Sequence, residues 1–157
     1  MRYIETIETL KSIHGWEFVT SFSVGGFEWL AFSEKCPTKL LIISSQKATI
    51  VDVDTGTIND CNVEYDEDEL IAYCDTLPDE ELQIVGQYGG KLNGFSGLSE
   101  KIAVETLDNN MTSVRFISNN NSVLVYENYG LYTCGFNYDG NVFVLATDGG
   151  IIILRRM

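Results

Sequence analysis

The sequence CGFNYDGNVFVLATDGGIIILRR, residues 134–156, decides the fold of this chain. Two apolar runs, 142–147 and 151–154, follow an aromatic segment, and the dipeptide Asp139-Gly140 lies before the first of them. An Asp-Gly pair between apolar runs is the strongest short-range indication of a β-hairpin. The stretch therefore predicts three consecutive antiparallel strands joined by small polar turns.

A second stretch, LAFSEKCPTKLLIISSQKATIVDV at residues 30–53, repeats this order of aromatic strand, turn and two aliphatic strands. Phe32 aligns with Phe136, and residues 41–43 align with residues 143–145. The repeat is similar to a blade of a β-propeller, whose units must stack to bury their apolar faces. Because any two three-stranded meanders align in this way, a sandwich or a partly open barrel remains the alternative.

Short β-branched and aromatic runs between turn residues continue through most of the chain. They number about eleven, which predicts a mainly β fold built from antiparallel sheets. The spacing of Ile4, Ile7, Leu10 and Ile13 favours an amphipathic helix at the start, although its Thr and Ile content leaves a strand open. At 157 residues, the chain has the usual length of one domain, so we expect a single domain over residues 1–157.

A second short helix is predicted in the middle of the chain. Asp66 can cap its start, and Leu70, Cys74 and Leu77 follow at helical spacing. Pro78 comes where such a helix should end. The sequence thus predicts one or two short helices in all.

The net charge of −13 excludes whole classes of partner. Nucleic-acid binding needs clustered Lys and Arg, so we expect no nucleic acid and, instead, a basic partner or plain solubility. Glu5 and Glu8 interrupt the N-terminal segment where a signal peptide would be apolar, and no apolar run is long enough to cross a membrane. We therefore expect a cytoplasmic protein with reduced cysteines and no membrane partner.

Three segments carry a family resemblance. They are residues 25–56 with Gly25-Gly26-Phe27 and Thr55-Gly56, residues 84–92 (IVGQYGGKL), and residues 134–155. In this order they resemble a family of small uncharacterised bacterial cytoplasmic proteins with β-propeller-blade-like strand repeats. The resemblance covers residues 16–155 and depends mostly on turn glycines and core aliphatic residues. Members of the family carry more polar or basic residues at the positions where this chain has Asn59-Asp60-Cys61. It implies a bacterial domain and supplies no activity.

The acidic charge is concentrated in one segment. Between residues 48 and 90 there is no Lys or Arg, yet twelve of the 23 acidic residues lie there. Such a segment speeds the approach of a basic protein and mimics the phosphates that it binds, although a solvated surface is the alternative. With the nearby tyrosines, which suit protein interfaces, the candidate partner-binding residues are Asp60, Glu64, Tyr65, Asp66, Glu67, Asp68, Glu69, Tyr73, Asp79, Glu80 and Glu81.

Catalytic, cofactor and metal sites are not indicated. His14 is the only histidine, and the sequence names no nucleophile for it. Residues 52–56 open like a calcium loop but lack its glycine spacing and its final Glu, so a tight turn is expected. The four cysteines show no zinc-ligand spacing, and the glycine-rich segment 86–97 lacks the P-loop ending. We therefore expect no enzyme, no cofactor and no metal.

Two hypotheses of function follow. The first is an acidic cytoplasmic protein-binding module, most specifically an immunity protein that binds and neutralises a bacterial toxin such as a nuclease. The second is a self-associating structural or sensing β-domain, since an incomplete stack of blades can complete itself as a homo-oligomer.

Overall fold

The computed structural model describes residues 1–157 and contains one helix and fourteen strands. The helix, α1, spans Tyr3–Lys11. The strands are β1 Trp16–Phe22, β2 Phe27–Phe32, β3 Lys39–Ser44, β4 Ala48–Asp52, β5 Ile58–Cys61, β6 Val63–Asp66, β7 Ile71–Cys74, β8 Leu77–Gln83, β9 Glu100–Thr106, β10 Thr112–Ser118, β11 Asn121–Asn128, β12 Leu131–Phe136, β13 Val142–Thr147 and β14 Gly150–Arg156.

Four antiparallel sheets follow one another along the chain. Sheet I has the order β2-β3-β4-β5, sheet II the order β6-β7-β8, and sheet III the order β11-β10-β9. Sheet IV unites both ends of the chain, because β1 pairs with β14 in the order β1-β14-β13-β12. The predicted mainly antiparallel β fold is confirmed, and no propeller is recognised among the four sheets.

The sheets pack face to face through three apolar clusters. One cluster joins sheet IV to sheet III and α1, one joins the opposite face of sheet IV to sheet I, and one joins sheet I to sheet II. Sheets I and IV are therefore covered on both faces, and β13 is buried along its whole length. A strand covered on both faces needs a nearly continuous apolar sequence. This requirement explains the uninterrupted aliphatic runs at residues 40–43 and 151–154.

The predicted N-terminal helix is confirmed as α1. Ile7 and Leu10, with Ile13 just beyond the helix, are buried against the aromatic core between sheets III and IV, whereas Ile4 is exposed. The chain's one helix has nine residues, and it falls short of the length that crossing a membrane requires.

The two similar stretches of sequence form similar structures. Residues 30–53 supply β2, β3 and β4, and residues 134–156 supply β12, β13 and β14, each set forming a three-stranded antiparallel meander. Phe32 pairs with Leu40 in the first meander, as Phe136 pairs with Phe143 in the second. Asn137 Nδ2 donates a hydrogen bond of 3.0 Å to the Pro37 carbonyl, so the two first turns contact each other directly.

The prediction of a second helix at residues 67–77 is wrong. This segment forms a turn and then β7 and the start of β8. Asp66 does accept backbone hydrogen bonds from residues two and three positions later, as a helix cap would. Leu70, however, adopts a φ of 58°, which ends the turn and starts an extended strand.

Candidate functional site

Sheet II presents an acidic face to solvent. Glu64 lies opposite Tyr73 and Asp66 lies opposite Ile71, so these side chains point to the same side of the sheet. On β8, Glu81 alternates with buried neighbours and is exposed on that same side. Tyr73 is 52% exposed at the centre. We call Glu64, Asp66, Tyr73 and Glu81 the outer acidic face.

The opposite side of sheet II holds this face in place. Ala72, Cys74 and Leu82 are buried against Leu41 and Ile43 of sheet I. Since the side chains alternate along each strand, burial of this set forces the charged set outward. The core contact with sheet I therefore fixes the orientation of the outer acidic face.

The turn at residues 67–69 extends the acidic surface beyond the strands. Asp66 Oδ1 accepts hydrogen bonds from the backbone N–H groups of Asp68 at 2.9 Å and Glu69 at 3.2 Å, which shapes the turn. Glu67 accepts a hydrogen bond of 3.3 Å from Trp29 Nε1. The carboxylates of Asp68 and Glu69 make no hydrogen bond within the chain and are exposed.

Tyr65 lies at the edge of sheet II rather than on the outer acidic face. It pairs with Ala72, whose side chain is buried, so its ring points toward the core side of the edge strand. Its hydroxyl donates a hydrogen bond of 3.1 Å to Glu28 Oε2. Burial, followed by this hydrogen bond to a carboxylate, raises the pKa of Tyr65. The phenol is thus a neutral donor held against sheet I.

Glu80 occupies a different environment from the other candidate residues. Its side chain is buried and accepts hydrogen bonds from the Ser33 hydroxyl at 2.6 Å and from the backbone N–H groups of Glu34 at 2.8 Å and Lys35 at 3.3 Å. These donors come from the turn between β2 and β3. The carboxylate therefore holds sheet II to sheet I and is not presented to a partner.

Asp60 and Asp79 lie at the margins of the acidic surface. Asp60 is exposed on β5 and forms an ion pair of 3.5 Å with Lys47. Asp79 is exposed on β8, where its φ is 61°, and its carbonyl accepts a hydrogen bond from Lys35 Nζ. Both carboxylates are thus accessible, but each has a lysine in its neighbourhood.

The carboxylates at residues 64–81 form no ion pair within the chain. The structure contains six ion pairs, and their carboxylates are Glu5, Glu17, Asp52, Asp54, Asp60 and Glu100. None belongs to the segment from Glu64 to Glu81. The negative potential of the outer acidic face and of the adjoining turn is therefore not neutralised by neighbouring side chains.

The turn at residues 52–56 is confirmed as a tight turn. The Gly56 N–H donates to the Asp52 carbonyl at 2.7 Å, and the Asp54 N–H donates to Asp52 Oδ1 at 2.9 Å. The second carboxylate oxygen of Asp52 pairs with Lys39 Nζ at 2.7 Å. The Asp52 carboxylate is therefore occupied by protein donors.

Sequence analysis missed a cluster formed by Cys61, Cys74 and Asp75. Their sulfur and carboxylate atoms lie within 4.8 Å of one another. Burial is the main cause that raises the pKa of the Cys61 thiol to about 12, and Cys74, Asp75 and Asp60 add to it. The twelve residues between the two cysteines match no metal motif. Their proximity follows from the pairing of Val63 with Cys74 in sheet II, since Val63 lies two residues after Cys61.

A cleft of about 650 Å³ adjoins the acidic turn. Its lining includes Glu69, Leu70, Lys91, Phe95 and Tyr138. Phe95 and Tyr138 are 64% and 52% exposed, so the cleft has an aromatic rim. Lys91 is the first basic residue after the acidic segment. The sequence shows that this lysine follows the segment, but it does not show that the lysine lines a cleft beside the acidic turn.

No protein-family model matches the chain, and no curated protein matches it significantly.

Proposed function

We propose that this chain is an acidic protein-binding module, most specifically an immunity protein that binds and neutralises a basic bacterial toxin such as a nuclease. The observation that carries the proposal is the outer acidic face, whose carboxylates have no Lys or Arg partner within the chain. Its place of action is the cytoplasm. The role is one of binding and not of catalysis.

The proposed mechanism is occlusion. A nuclease binds phosphates through Lys and Arg, and carboxylates of the outer acidic face offer those side chains charge-assisted hydrogen bonds instead. The exposed ring of Tyr73 lies among these carboxylates and supplies the aromatic contact that protein interfaces favour. Electrostatic attraction raises the association rate, and contact with the rigid sheet slows dissociation.

We divide the candidate residues into proposed contacts and supporting residues by their exposure and internal hydrogen bonds. Glu64, Asp68, Glu69, Tyr73 and Glu81 have exposed side chains without internal hydrogen bonds and are the proposed contacts. Asp66, Glu67 and Tyr65 shape the turn and the edge, while Asp60 and Asp79 lie at the margin. Glu80 belongs to the core and is left out of the contact surface.

The test compares two variants that each remove three negative charges. The first, Glu64→Gln/Asp68→Asn/Glu81→Gln, changes the outer acidic face and its turn. The matched control, Glu8→Gln/Glu105→Gln/Asp108→Asn, changes exposed acids elsewhere. Each immobilised protein captures partners from source-cell lysate at low and at moderate salt, and a captured basic protein is assayed for nuclease activity with and without the chain.

The proposal predicts a small basic protein that stays bound at moderate salt and whose nuclease activity the chain inhibits. The first variant should bind it at least about tenfold more weakly, since several interfacial charge pairs are lost, whereas the control should match the native chain. Equal weakening in both variants would show a generic charge effect and contradict the proposed interface.

A second candidate function, self-association, has its own structural basis. Strand β9 is the edge of sheet III, and beyond its first residues, which bond to Gly94 and Phe95, its outer side is unpaired. Val104 on this strand is 54% exposed. An open edge is a template for pairing with a second copy. Light scattering over a concentration series tests this, and a strict monomer at high concentration would contradict it.

A further inference from the structure

Two cysteines separated by twelve residues meet where sheets I and II join. Cys61 is the last residue of β5 in sheet I, and Cys74 is the last residue of β7 in sheet II. Asn62 connects the two sheets and pairs with Asp75 through two hydrogen bonds. The Asp75 N–H donates to the Asn62 carbonyl at 3.1 Å, and the Asn62 N–H donates to the side-chain oxygen Oδ1 of Asp75 at 3.0 Å. This pairing brings the Asp75 carboxylate beside both thiols.

We propose that Cys61, Cys74 and Asp75 form a binding site for a thiophilic divalent cation such as Zn²⁺. The two Sγ atoms and one carboxylate oxygen lie within 4.8 Å of one another. In tetrahedral zinc sites, Zn–S distances of about 2.3 Å and Zn–O distances of about 2.0–2.2 Å separate the ligand atoms by roughly 3.5–3.8 Å. A contraction of at most about 1.3 Å between any two of these atoms converts the observed cluster into that arrangement.

The surroundings of the cluster suit a bound cation with one exchangeable ligand. Cys74 is buried, Cys61 is half-buried and Asp75 is exposed, so an ion reaches the site from solvent and keeps a water in its fourth position. Binding deprotonates both thiols and releases two protons to solvent, and no electrons are exchanged. The resulting centre, two thiolates and one carboxylate, carries one net negative charge with Zn²⁺.

Second contacts already orient the carboxylate. Asn62 Nδ2 donates a hydrogen bond of 3.2 Å to Asp75 Oδ2, in addition to the backbone bond to Oδ1. Each carboxylate oxygen has two lone pairs, so one remains for the metal. Such outer partners are a regular part of metal sites, and their loss typically lowers metal affinity about 10- to 100-fold. Asn62 is therefore a positioning residue of the proposed site.

The site differs from the two remaining cysteines, which provide controls. Cys36 is exposed in the turn between β2 and β3, and Cys134 lies in β12 of sheet IV. Neither belongs to the cluster of ligating groups.

An ion at the proposed site would tie sheet I to sheet II, so binding should also raise the thermal midpoint of unfolding, Tm.

The experiment titrates the reduced full-length chain with Co²⁺ and then with Zn²⁺. We expect one Co²⁺ per chain with the near-ultraviolet thiolate-to-cobalt charge-transfer absorption, displacement of that absorption by Zn²⁺, and a higher Tm with Zn²⁺. Cys36→Ser should behave as the native chain. Cys61→Ser should lose the absorption and bind at least about 100-fold more weakly, and Asn62→Ala should bind about tenfold more weakly. Circular dichroism verifies that each variant is folded.

The thiolate absorption distinguishes this site from weak binding to surface carboxylates, which produces no such band. Absence of the band at one equivalent of Co²⁺, or an unchanged band in Cys61→Ser, would overturn the proposal. Loss of two hydrogens from the intact mass on mild oxidation, with no Co²⁺ uptake under reducing conditions, would also overturn it and assign the pair to a disulfide. Cys61 is half-buried and packs against the core between sheets I and II, so Asn62→Ala, which leaves both thiols in place, provides the second variant.

Discussion

Glu100 is the most completely satisfied carboxylate of the molecule. It is buried, and its two oxygens accept hydrogen bonds of 2.7 Å from the two terminal nitrogens of Arg156, one of 2.8 Å from Ser96 and one of 3.2 Å from Trp16 Nε1. The Arg156 guanidinium is the main cause that lowers the pKa of Glu100 from 4.5 to about 2. The pair joins β9 of sheet III to β14 of sheet IV.

The depressed pKa makes stability depend on pH in one direction. The stabilisation by ionised Glu100 is complete above its unfolded pKa, near 4.5, and is lost as the pH falls through about 2. The variant Glu100→Gln should therefore lose about 3 kcal/mol of unfolding free energy at pH 7, and this loss should shrink below pH 4.5. Urea unfolding at several pH values measures it. Exposed Glu105→Gln should change stability by less than about 0.5 kcal/mol, and a pH-independent loss in Glu100→Gln would contradict the assignment.

Adjacent residues of the same type show what sequence alone cannot resolve. Glu80 is buried and bonded to the β2–β3 turn, whereas Glu81 is exposed on the outer acidic face. Composition and charge count treat both as solvent-facing acids. Only the period-two alternation of β8 separates them, and that alternation applies once the segment is known to be a strand. The charge concentration was therefore predictable, but the division into contact and core residues was not.

At the scale of elements, strands with continuous or alternating apolar residues were predictable, and short exposed strands were not. About eleven strands are predicted and fourteen are present, and the three that the sequence did not indicate are β5, β6 and β7. The segment around Leu70 and Cys74 has helical spacing, yet Ala72 and Cys74 are both buried, and Tyr73 between them is exposed. A strand forms where every second side chain is apolar and a neighbouring sheet buries those side chains. Sheet I buries the apolar side chains of β7.

The turn between β12 and β13 packs tightly against the backbone of Ser96, and glycine substitutions test this contact. Gly140 has a φ of 76°, and a Cβ there would overlap the carbonyl oxygen of Ser96; Gly97 has a φ of 83° with no atom within 4 Å of such a Cβ. Gly97→Ala should cost about 1–2 kcal/mol from backbone strain alone. Gly140→Ala should cost about 3–4 kcal/mol, because overpacking is added. Urea unfolding of both variants measures the difference, and equal losses would show that the turn moves away from Ser96 without cost.

At the scale of the whole molecule, the four sheets pack one on the next in the order III, IV, I and II. Sheet IV contacts sheet III through one face and sheet I through the other, and sheet I also covers sheet II. Each of these middle sheets would expose an apolar face if its neighbour unfolded. The length of the chain predicts one domain, but this order of sheets depends on pairing β1 with β14 across almost the entire sequence, which no local pattern encodes.

The two tryptophans report on opposite ends of this series. Trp16 is buried between sheets III and IV, and Trp29 is buried between sheets I and II. The variants Trp29→Phe and Trp16→Phe each leave one reporter. Each variant should lose about 1 kcal/mol of unfolding free energy through a missing indole hydrogen bond, which is the bond to Glu67 in Trp29→Phe and the bond to Glu100 in Trp16→Phe. Within each variant, urea unfolding followed by fluorescence and by far-ultraviolet circular dichroism should coincide, because the shared faces make unfolding a single cooperative transition. A Trp29 fluorescence transition that precedes the dichroism transition in Trp16→Phe would mean that sheets I and II open as a separate unit, and the single domain would then be two.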